Sequence, residues 1–105
     1  MPKIYEYFGF VFYFYSNDHE PIHVHARLSG RETIFELIIE NGELAETRKR
    51  YKQGLEPLRP DEETEAIEFV ETFFKNIIAK WVRFFVMKQR VNCTKITKRI
   101  KRKLK

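Results

Sequence analysis

The residues whose types and spacing suit chemistry are concentrated in residues 17–25, Asn-Asp-His-Glu-Pro-Ile-His-Val-His. All three histidines of the 105-residue chain, His19, His23 and His25, fall in this segment. His23 and His25 are two residues apart, so on a β-strand both side chains leave the same face. His19 precedes them on a turn that Pro21 stiffens. Three imidazoles so close together can bind a divalent metal, act as an acid–base pair near neutral pH, or hydrogen-bond an anion.

The metal interpretation uses all three imidazoles as ligands. Zn²⁺ in catalytic sites takes three protein ligands plus water, so His19, His23 and His25 would suffice. A carboxylate, from Glu36 or Asp18, would complete or orient the set. Zinc is therefore the cofactor that this interpretation predicts, and the reaction would be hydrolysis.

A metal-free interpretation uses the same segment for acid–base chemistry on a phosphodiester. One histidine would take the proton of a 2′-hydroxyl, and a second would protonate the leaving oxygen. Arg27 would stabilise the charge that develops on the phosphate. The predicted catalytic set is His19, His23, His25, Arg27 and Glu36. A third interpretation leaves His23 and His25 as partly exposed sheet residues paired with carboxylates, with no ligand.

The elements that position the histidines are predicted to be β-strands joined by tight turns. Residues 22–28 and 31–40 form two strands around a Ser29-Gly30 turn, and Asn41-Gly42 leads to a weaker strand at 43–49. A two-residue turn pairs residue 28 with 31, so His23 lies opposite Glu36, His25 opposite Ile34, and Arg27 opposite Glu32. Apolar then meets apolar and base meets acid on both faces of the hairpin.

Residues 3–15 alternate aromatic side chains with period two, which predicts one long strand. Phe8, Phe10, Phe12 and Phe14 would share the core face, with Tyr5, Tyr7, Val11, Tyr13 and Tyr15 on the other. Gly9 would mark a bend or bulge in this strand. The tyrosine face is predicted to adjoin the face that carries the histidines.

A long amphipathic helix is predicted from residue 61 to about 88. Pro60 suits the first helical position, acidic residues follow it, and Ile67, Val70, Phe74 and Ile77 step by three and four. The predicted fold is therefore α+β: a four-stranded, mostly antiparallel meander packed by one long helix. The remainder of the apolar stripe, beyond the sheet, would suit a homodimer or a small partner protein.

Charge is divided sharply along the chain. Residues 1–74 hold 8 of the 20 Lys and Arg and all 15 Asp and Glu, whereas residues 75–105 hold 12 Lys and Arg and no acid. Such a basic segment predicts contact with RNA or another nucleic acid. The predicted contacts are Lys95, Lys98, Arg99, Lys101, Arg102 and Lys103. Residues 1–90 would form a single domain, and 91–105 a basic tail or, from the spacing of Ile96, Ile100 and Leu104, a short helix.

The composition also favours a reduced, cytoplasmic protein. Cys93 is the single cysteine, so no internal disulfide is possible. The N-terminus lacks the pattern of a secretory signal. The most apolar region, residues 66–87, carries six charged or amide side chains and is not predicted to cross or bind a membrane.

Several of these motifs occur together in one bacterial family. They are Phe8-Gly9-Phe10, the run Tyr15-x-x-Asp18-His19-x-Pro21-x-His23-x-His25, a Glu-bearing strand, and a late helix with Asn76 and Trp81. Over about residues 1–85 the chain resembles the family called domain of unknown function 4160. The resemblance implies a site at His19, Pro21, His23 and His25, a cytoplasmic location, and a role in a toxin–antitoxin module beside a cognate partner protein. It implies no particular reaction.

Two departures from that family concern Ile22, where many members have a second proline, and the basic extension past residue 88, which is longer than in typical members.

The leading functional hypothesis is a small toxin–antitoxin-like protein that acts on or binds RNA through the histidines and the basic tail. The alternatives are a non-catalytic module that binds a partner protein or DNA, and a metal-dependent hydrolase.

Overall fold

Six strands form one sheet in the computed structural model, which describes residues 2–15 and 21–100. The strands are β1 (Lys3–Tyr7), β2 (Phe10–Tyr13), β3 (His23–Leu28), β4 (Arg31–Glu40), β5 (Glu43–Arg50) and β6 (Thr94–Ile96). Their order across the sheet is β5-β4-β3-β2-β1-β6, and every neighbouring pair is antiparallel except β1 and β6. The α+β class with a mostly antiparallel sheet is confirmed, but the count of four strands is wrong.

One extra strand arises because the aromatic segment is a hairpin. Phe8 and Gly9 both have positive φ, 43° and 89°, as a type I′ turn requires. The reversal places Tyr7 opposite Phe10 and moves Tyr5 and Tyr7 onto the same face as Phe10 and Phe12. The prediction that all the tyrosines share one face is therefore wrong, since only a continuous strand keeps residues 7 and 10 on opposite faces. Phe8 is exposed at the turn instead of facing the core.

The β3–β4 hairpin has the register predicted from the sequence. Leu28 lies opposite Arg31, with positive φ at Ser29 and Gly30, and His23 lies opposite Glu36. Two positive-φ residues at Asn41-Gly42 then lead into β5, which pairs along β4 with a bulge between Ile38 and Ile39. Charge complementarity across the hairpin and the turn residues are local features, so the sequence was sufficient to predict them.

The C-terminal helical region has two helices and a π-helical segment instead of one long helix. They are α1 (Pro60–Thr72), α2 (Phe74–Trp81) and a π-helical segment, Val82–Val86. The Thr72 hydroxyl donates to the Glu68 carbonyl at 2.7 Å, a contact that bends helices, and Phe73 leaves helical geometry with φ −106° and ψ 18°. No helix within residues 2–15 and 21–100 is both long enough and apolar enough to cross a membrane.

The helices pack on the sheet face that carries the phenylalanines. Phe69 of α1 stacks on Phe12 with ring centroids 4.5 Å apart, and Ile77 and Trp81 of α2 are buried in the same core. Polar contacts fix α1 on this face: the Thr33 hydroxyl donates to Glu63 at 2.9 Å and accepts from the Leu58 amide at 3.0 Å. The helices therefore cover one face, and the histidines lie on the other.

The segment after the helices joins the sheet. Thr94–Ile96 pairs in parallel with β1, so the short helix predicted over residues 94–105 is wrong for its described part, residues 94–100. Thr and Ile suit a strand, and the backbone pairing outweighs the four-residue apolar spacing. Farther on, the Ile100 amide donates to the Tyr7 hydroxyl at 3.1 Å.

Lys80 connects β6 to the rest of the domain through hydrogen bonds. Its ammonium donates to the carbonyls of Ile4 and Asn92, at 2.8 and 2.6 Å, and to the Thr94 hydroxyl at 3.1 Å. The ammonium also lies 4.2 Å from the centre of the Tyr5 ring. Burial lowers the pKa of Lys80. These contacts join α2, β1 and β6 at one point.

Replacing Lys80 by Met should loosen β6, because the stem remains while three hydrogen bonds are lost. We expect the free energy of unfolding to fall by about 1–3 kcal/mol, with faster amide hydrogen exchange at Thr94–Ile96. Lys75→Met, at an exposed position of the same helix, is the matched control and should change neither quantity. Equal effects of the two variants would contradict the role given to Lys80.

Candidate functional site

The sheet face opposite the helices, here called the histidine face, collects the side chains that can do chemistry. His23, His25 and Arg27 alternate along β3, and β2 places Tyr13 opposite His25. On the other side β4 places Glu32 opposite Arg27. The strand registers thus bring residues from three strands together, and the predicted juxtaposition of tyrosines and histidines holds for Tyr13 and Tyr15, whose rings both contact His25.

Glu32 is the centre of the cluster. Its Oε2 lies 3.0 Å from His25 Nδ1, and its Oε1 accepts hydrogen bonds from Arg27 Nη2 at 2.9 Å and from the Tyr13 hydroxyl. The residue is 0% exposed, and His25 is 2% exposed. A buried carboxylate is costly unless donors surround it, and here a charged donor, a phenol and an imidazole do so.

The donors keep the Glu32 carboxylate ionised. Burial raises the pKa of Glu32, but the hydrogen bonds from Tyr13, His25 and Arg27 lower it by more, and the result lies below the ordinary value of 4.5. Burial, together with the hydrogen bond to Glu32, raises the pKa of Tyr13 above its ordinary 10.0, so the phenol remains a donor. Glu32 is therefore the negative partner of the positively charged Arg27 in this cluster.

Both described histidines are held through the same ring nitrogen. His25 Nδ1 contacts the Glu32 carboxylate, and His23 Nδ1 lies 2.8 Å from the Pro21 carbonyl. Both partners accept hydrogen bonds, so each Nδ1 carries the proton. In the neutral rings Nε2 is then the nitrogen that takes up a proton or binds a cation. The two ring centroids are 5.4 Å apart.

Aromatic rings fix the orientation of His25. Tyr13 stacks on the imidazole with centroids 5.2 Å apart, and Tyr15 meets it edge-on at 4.2 Å. The Tyr15 hydroxyl accepts from Lys52, whose ammonium lies 4.3 Å from the centre of the tyrosine ring. These contacts leave the imidazole little freedom to rotate.

The predicted site residues divide into three groups. His23, His25 and Arg27 lie together on the histidine face, as predicted. Glu36 lies opposite His23, but its carboxylate binds Arg50 Nη1 at 2.7 Å. His19 lies outside the described residues. Among residues 2–15 and 21–100, no three His, Cys, Asp or Glu side chains are arranged to hold a metal ion, and the three-histidine zinc site depends on His19.

Sequence reasoning missed the importance of Glu32 and Tyr13. The predicted register places Glu32 opposite Arg27 on the histidine face. Its contact with His25, which lies opposite Ile34, runs diagonally between the strands and does not follow from the register alone. Tyr13 is predicted on the correct face, and its alignment with His25 comes from the pairing of β2 with β3, whose register the sequence does not define. A charged residue alternating with apolar ones on a central strand was the pattern that could have identified Glu32.

The basic C-terminal residues lie at the far edge of the same sheet. Lys95 and Lys98 are exposed there. Arg99 pairs with Glu65 and lies 4.2 Å from the centre of the Phe8 ring, so it helps to hold the segment in place. Lys101, Arg102 and Lys103 lie outside the described residues. From β3 to β6 there are three strand intervals, about 14 Å.

Comparison with known proteins gives a family. The sequence model of the family described as Domain of unknown function (DUF4160) matches residues 9–82. That range runs from β2 into the π-helical segment and contains every residue of the Glu32 cluster. No curated protein and no solved structure matches the chain.

The Glu32 cluster should make stability depend on pH in acid. Because the folded pKa of Glu32 is lowered, the contribution of its ionised form is complete above the unfolded pKa, ordinarily 4.5, and is lost as pH falls through the folded pKa. Below about pH 4.5, the free energy of unfolding of Glu32→Gln should fall less steeply than that of the wild type. Glu36→Gln, on the same strand and face, should retain the steep fall. Identical slopes for the wild type and Glu32→Gln would contradict this assignment.

Proposed function

The chain belongs to the DUF4160 family, whose description specifies no reaction, and we propose from the chemistry of its own residues that it binds and cleaves RNA. The observation that carries the proposal is the pair of imidazoles on one sheet face, each held at Nδ1 by an acceptor. Acid–base chemistry of this kind needs one group to act as base and a second to act as acid, each held in a fixed orientation.

The proposed reaction is an intramolecular transesterification of the RNA backbone. One imidazole removes the proton of a 2′-hydroxyl as its oxygen attacks the adjacent phosphorus. The bond from phosphorus to the 5′-oxygen breaks, and the second imidazolium donates its proton to that leaving oxygen. The products are a 2′,3′-cyclic phosphate and a 5′-hydroxyl, and the protons balance between the two histidines.

Arg27 is the residue proposed to receive the phosphate. It gives one Nη2 donor to Glu32, while 40% of its side chain remains exposed. A guanidinium carries five N–H donors in a planar fork, so others remain for phosphate oxygens. His23 and His25 are only 4% and 2% exposed, so Arg27 is the member of the cluster that a substrate would meet first.

Exposed lysines at the sheet edge would add affinity without sequence preference. Lys95 and Lys98 lie on or beside β6, which is paired to β1 and so presents them in a fixed place. A strand of RNA that reaches from this edge to the histidines would contact both regions. Such phosphate contacts make affinity fall as salt rises. In this proposal the chain is the RNA-cleaving half of a toxin–antitoxin-like pair, restrained by a small cognate protein.

A second candidate function is supported by the burial of the imidazoles. Side chains that are 2% and 4% exposed are typical of a structural hydrogen-bond network as well as of a closed active site. The histidine face would then be a scaffold, and the chain a non-catalytic module that binds nucleic acid or a partner protein. The two functions differ in what His25→Ala should do.

Purified protein should cleave an RNA oligonucleotide in the presence of EDTA, leaving a 2′,3′-cyclic phosphate, and should leave the all-deoxy analogue intact. His23→Ala and His25→Ala should each lower kcat on the order of 10²–10⁴-fold. Glu40→Gln, an exposed substitution at the end of β4, is the control and should retain full activity. The measurement is product analysis by mass spectrometry with initial rates.

Three outcomes would count against RNA cleavage by this route. Cutting of the deoxy analogue would remove the role of the 2′-hydroxyl, and histidine-dependent cutting that EDTA abolishes would point to a metal-dependent hydrolase. Absence of cutting, with salt-sensitive RNA binding that His25→Ala retains, would establish the binding module instead.

A further inference from the structure

Glu32 makes more side-chain hydrogen bonds than its position on a strand requires. Both carboxylate oxygens take part in hydrogen bonds, and the two oxygens have different partners. Oε1 accepts from Arg27 and Tyr13, whereas Oε2 faces His25 Nδ1 alone among the hydrogen bonds described for it. Oε1 therefore holds the carboxylate in place, and Oε2 contacts the imidazole.

Replacing a buried ion pair together with its hydrogen-bonded partners by apolar side chains is often neutral or stabilising for a fold, so burial of the pair is weak evidence for a purely stabilising role. A second carboxylate on the same strand and face shows what an ordinary carboxylate does here. Glu36 also lies on the histidine face, directly opposite His23, yet it pairs with the exposed Arg50 on β5. Stability alone therefore does not account for a fully buried carboxylate at position 32.

We propose that Glu32 is the positioning residue for His25, fixing the proton on Nδ1 and leaving Nε2, a buried atom, as the nitrogen that takes up a proton. A fixed carboxylate also stabilises the positive charge that the ring gains when it takes up a proton. Tyr13 and Arg27 act through Glu32 by holding Oε1. The consequence for catalysis rests on the proposed function, whereas the protonation state of the ring does not.

Glu32→Gln gives a sharp prediction because an amide has one acceptor oxygen. Tyr13 and Arg27 both donate to the position of Oε1, so the amide oxygen should occupy it. The amide NH₂ then faces His25 Nδ1, which can accept from it only by losing its proton. The neutral ring should therefore change from the Nδ1–H to the Nε2–H tautomer with almost no change in shape.

The test is ¹⁵N NMR of the imidazole nitrogens at a pH where the ring is neutral. We expect the Nδ1–H tautomer of His25 in the wild type and in Glu36→Gln, and the Nε2–H tautomer in Glu32→Gln. RNA cleavage by Glu32→Gln should fall on the order of 10²–10⁴-fold in kcat, while KM changes little. Glu40→Gln, the exposed substitution at the end of β4, should cleave at the wild-type rate.

The wild-type spectrum alone can overturn the proposal, even if Glu32→Gln does not fold. An Nε2–H ring in the wild type would contradict it, as would an unchanged tautomer in a folded Glu32→Gln variant. Absence of RNA cleavage by the wild type would refute the proposed function and leave the tautomer result to decide the positioning role. Tyr13→Phe, which leaves Oε2 in place, should keep the Nδ1–H tautomer.

Discussion

A carboxylate buried in the middle of a β-sheet must be surrounded by donors, and in this protein that requirement organises one whole face. Glu32 of β4 is satisfied by side chains from β2 and β3, so three strands must keep their mutual registers for the charge to be tolerated. A slip of one residue in any of them would turn a donor to the other face and leave the carboxylate unpaired. The same contacts hold the His25 ring in a single orientation. The hydrogen bonds that satisfy Glu32 therefore both stabilise the sheet and orient the imidazole of the candidate site.

The opposite face meets a different constraint, which is to bury large aromatic rings. The hairpin at Phe8-Gly9 doubles the aromatic surface that β1 and β2 offer to α1, with Tyr5, Tyr7 and Phe12 all in contact with Phe69. That reversal also frees the outer edge of β1 to pair with β6. Through Lys80 the aromatic core and the basic segment become parts of one domain, which places exposed lysines at a fixed distance from the histidines.

The sequence predicts the histidine face better than it predicts the aromatic face. The β3–β4 register was correct because turn residues and cross-strand charge are local, and it placed His23, His25, Arg27 and Glu32 on one face. The first strand was misread because aromatic and apolar residues occupy both odd and even positions of residues 4–15, which hides the change of phase at the turn, and a Phe at positive φ gives a weak turn signal. The parallel pairing of β6 depends on contacts distant in sequence, such as Lys80 with Ile4, which no periodicity reveals. Direct cross-strand opposition pairs Glu36 with His23, whereas Glu32 reaches His25 diagonally, a contact that the strand register alone does not reveal.

The most direct test of the account is a double-mutant cycle on the free energy of unfolding with Tyr13→Phe and Glu32→Gln. If the buried carboxylate and its phenol donor form one unit, the two substitutions should be coupled by about 1–3 kcal/mol. The pair Tyr13→Phe and Glu36→Gln should be additive, since Glu36 binds Arg50 instead. Additivity of Tyr13→Phe and Glu32→Gln, to within about 0.5 kcal/mol, would contradict the claim that Glu32 gathers the donors of the histidine face.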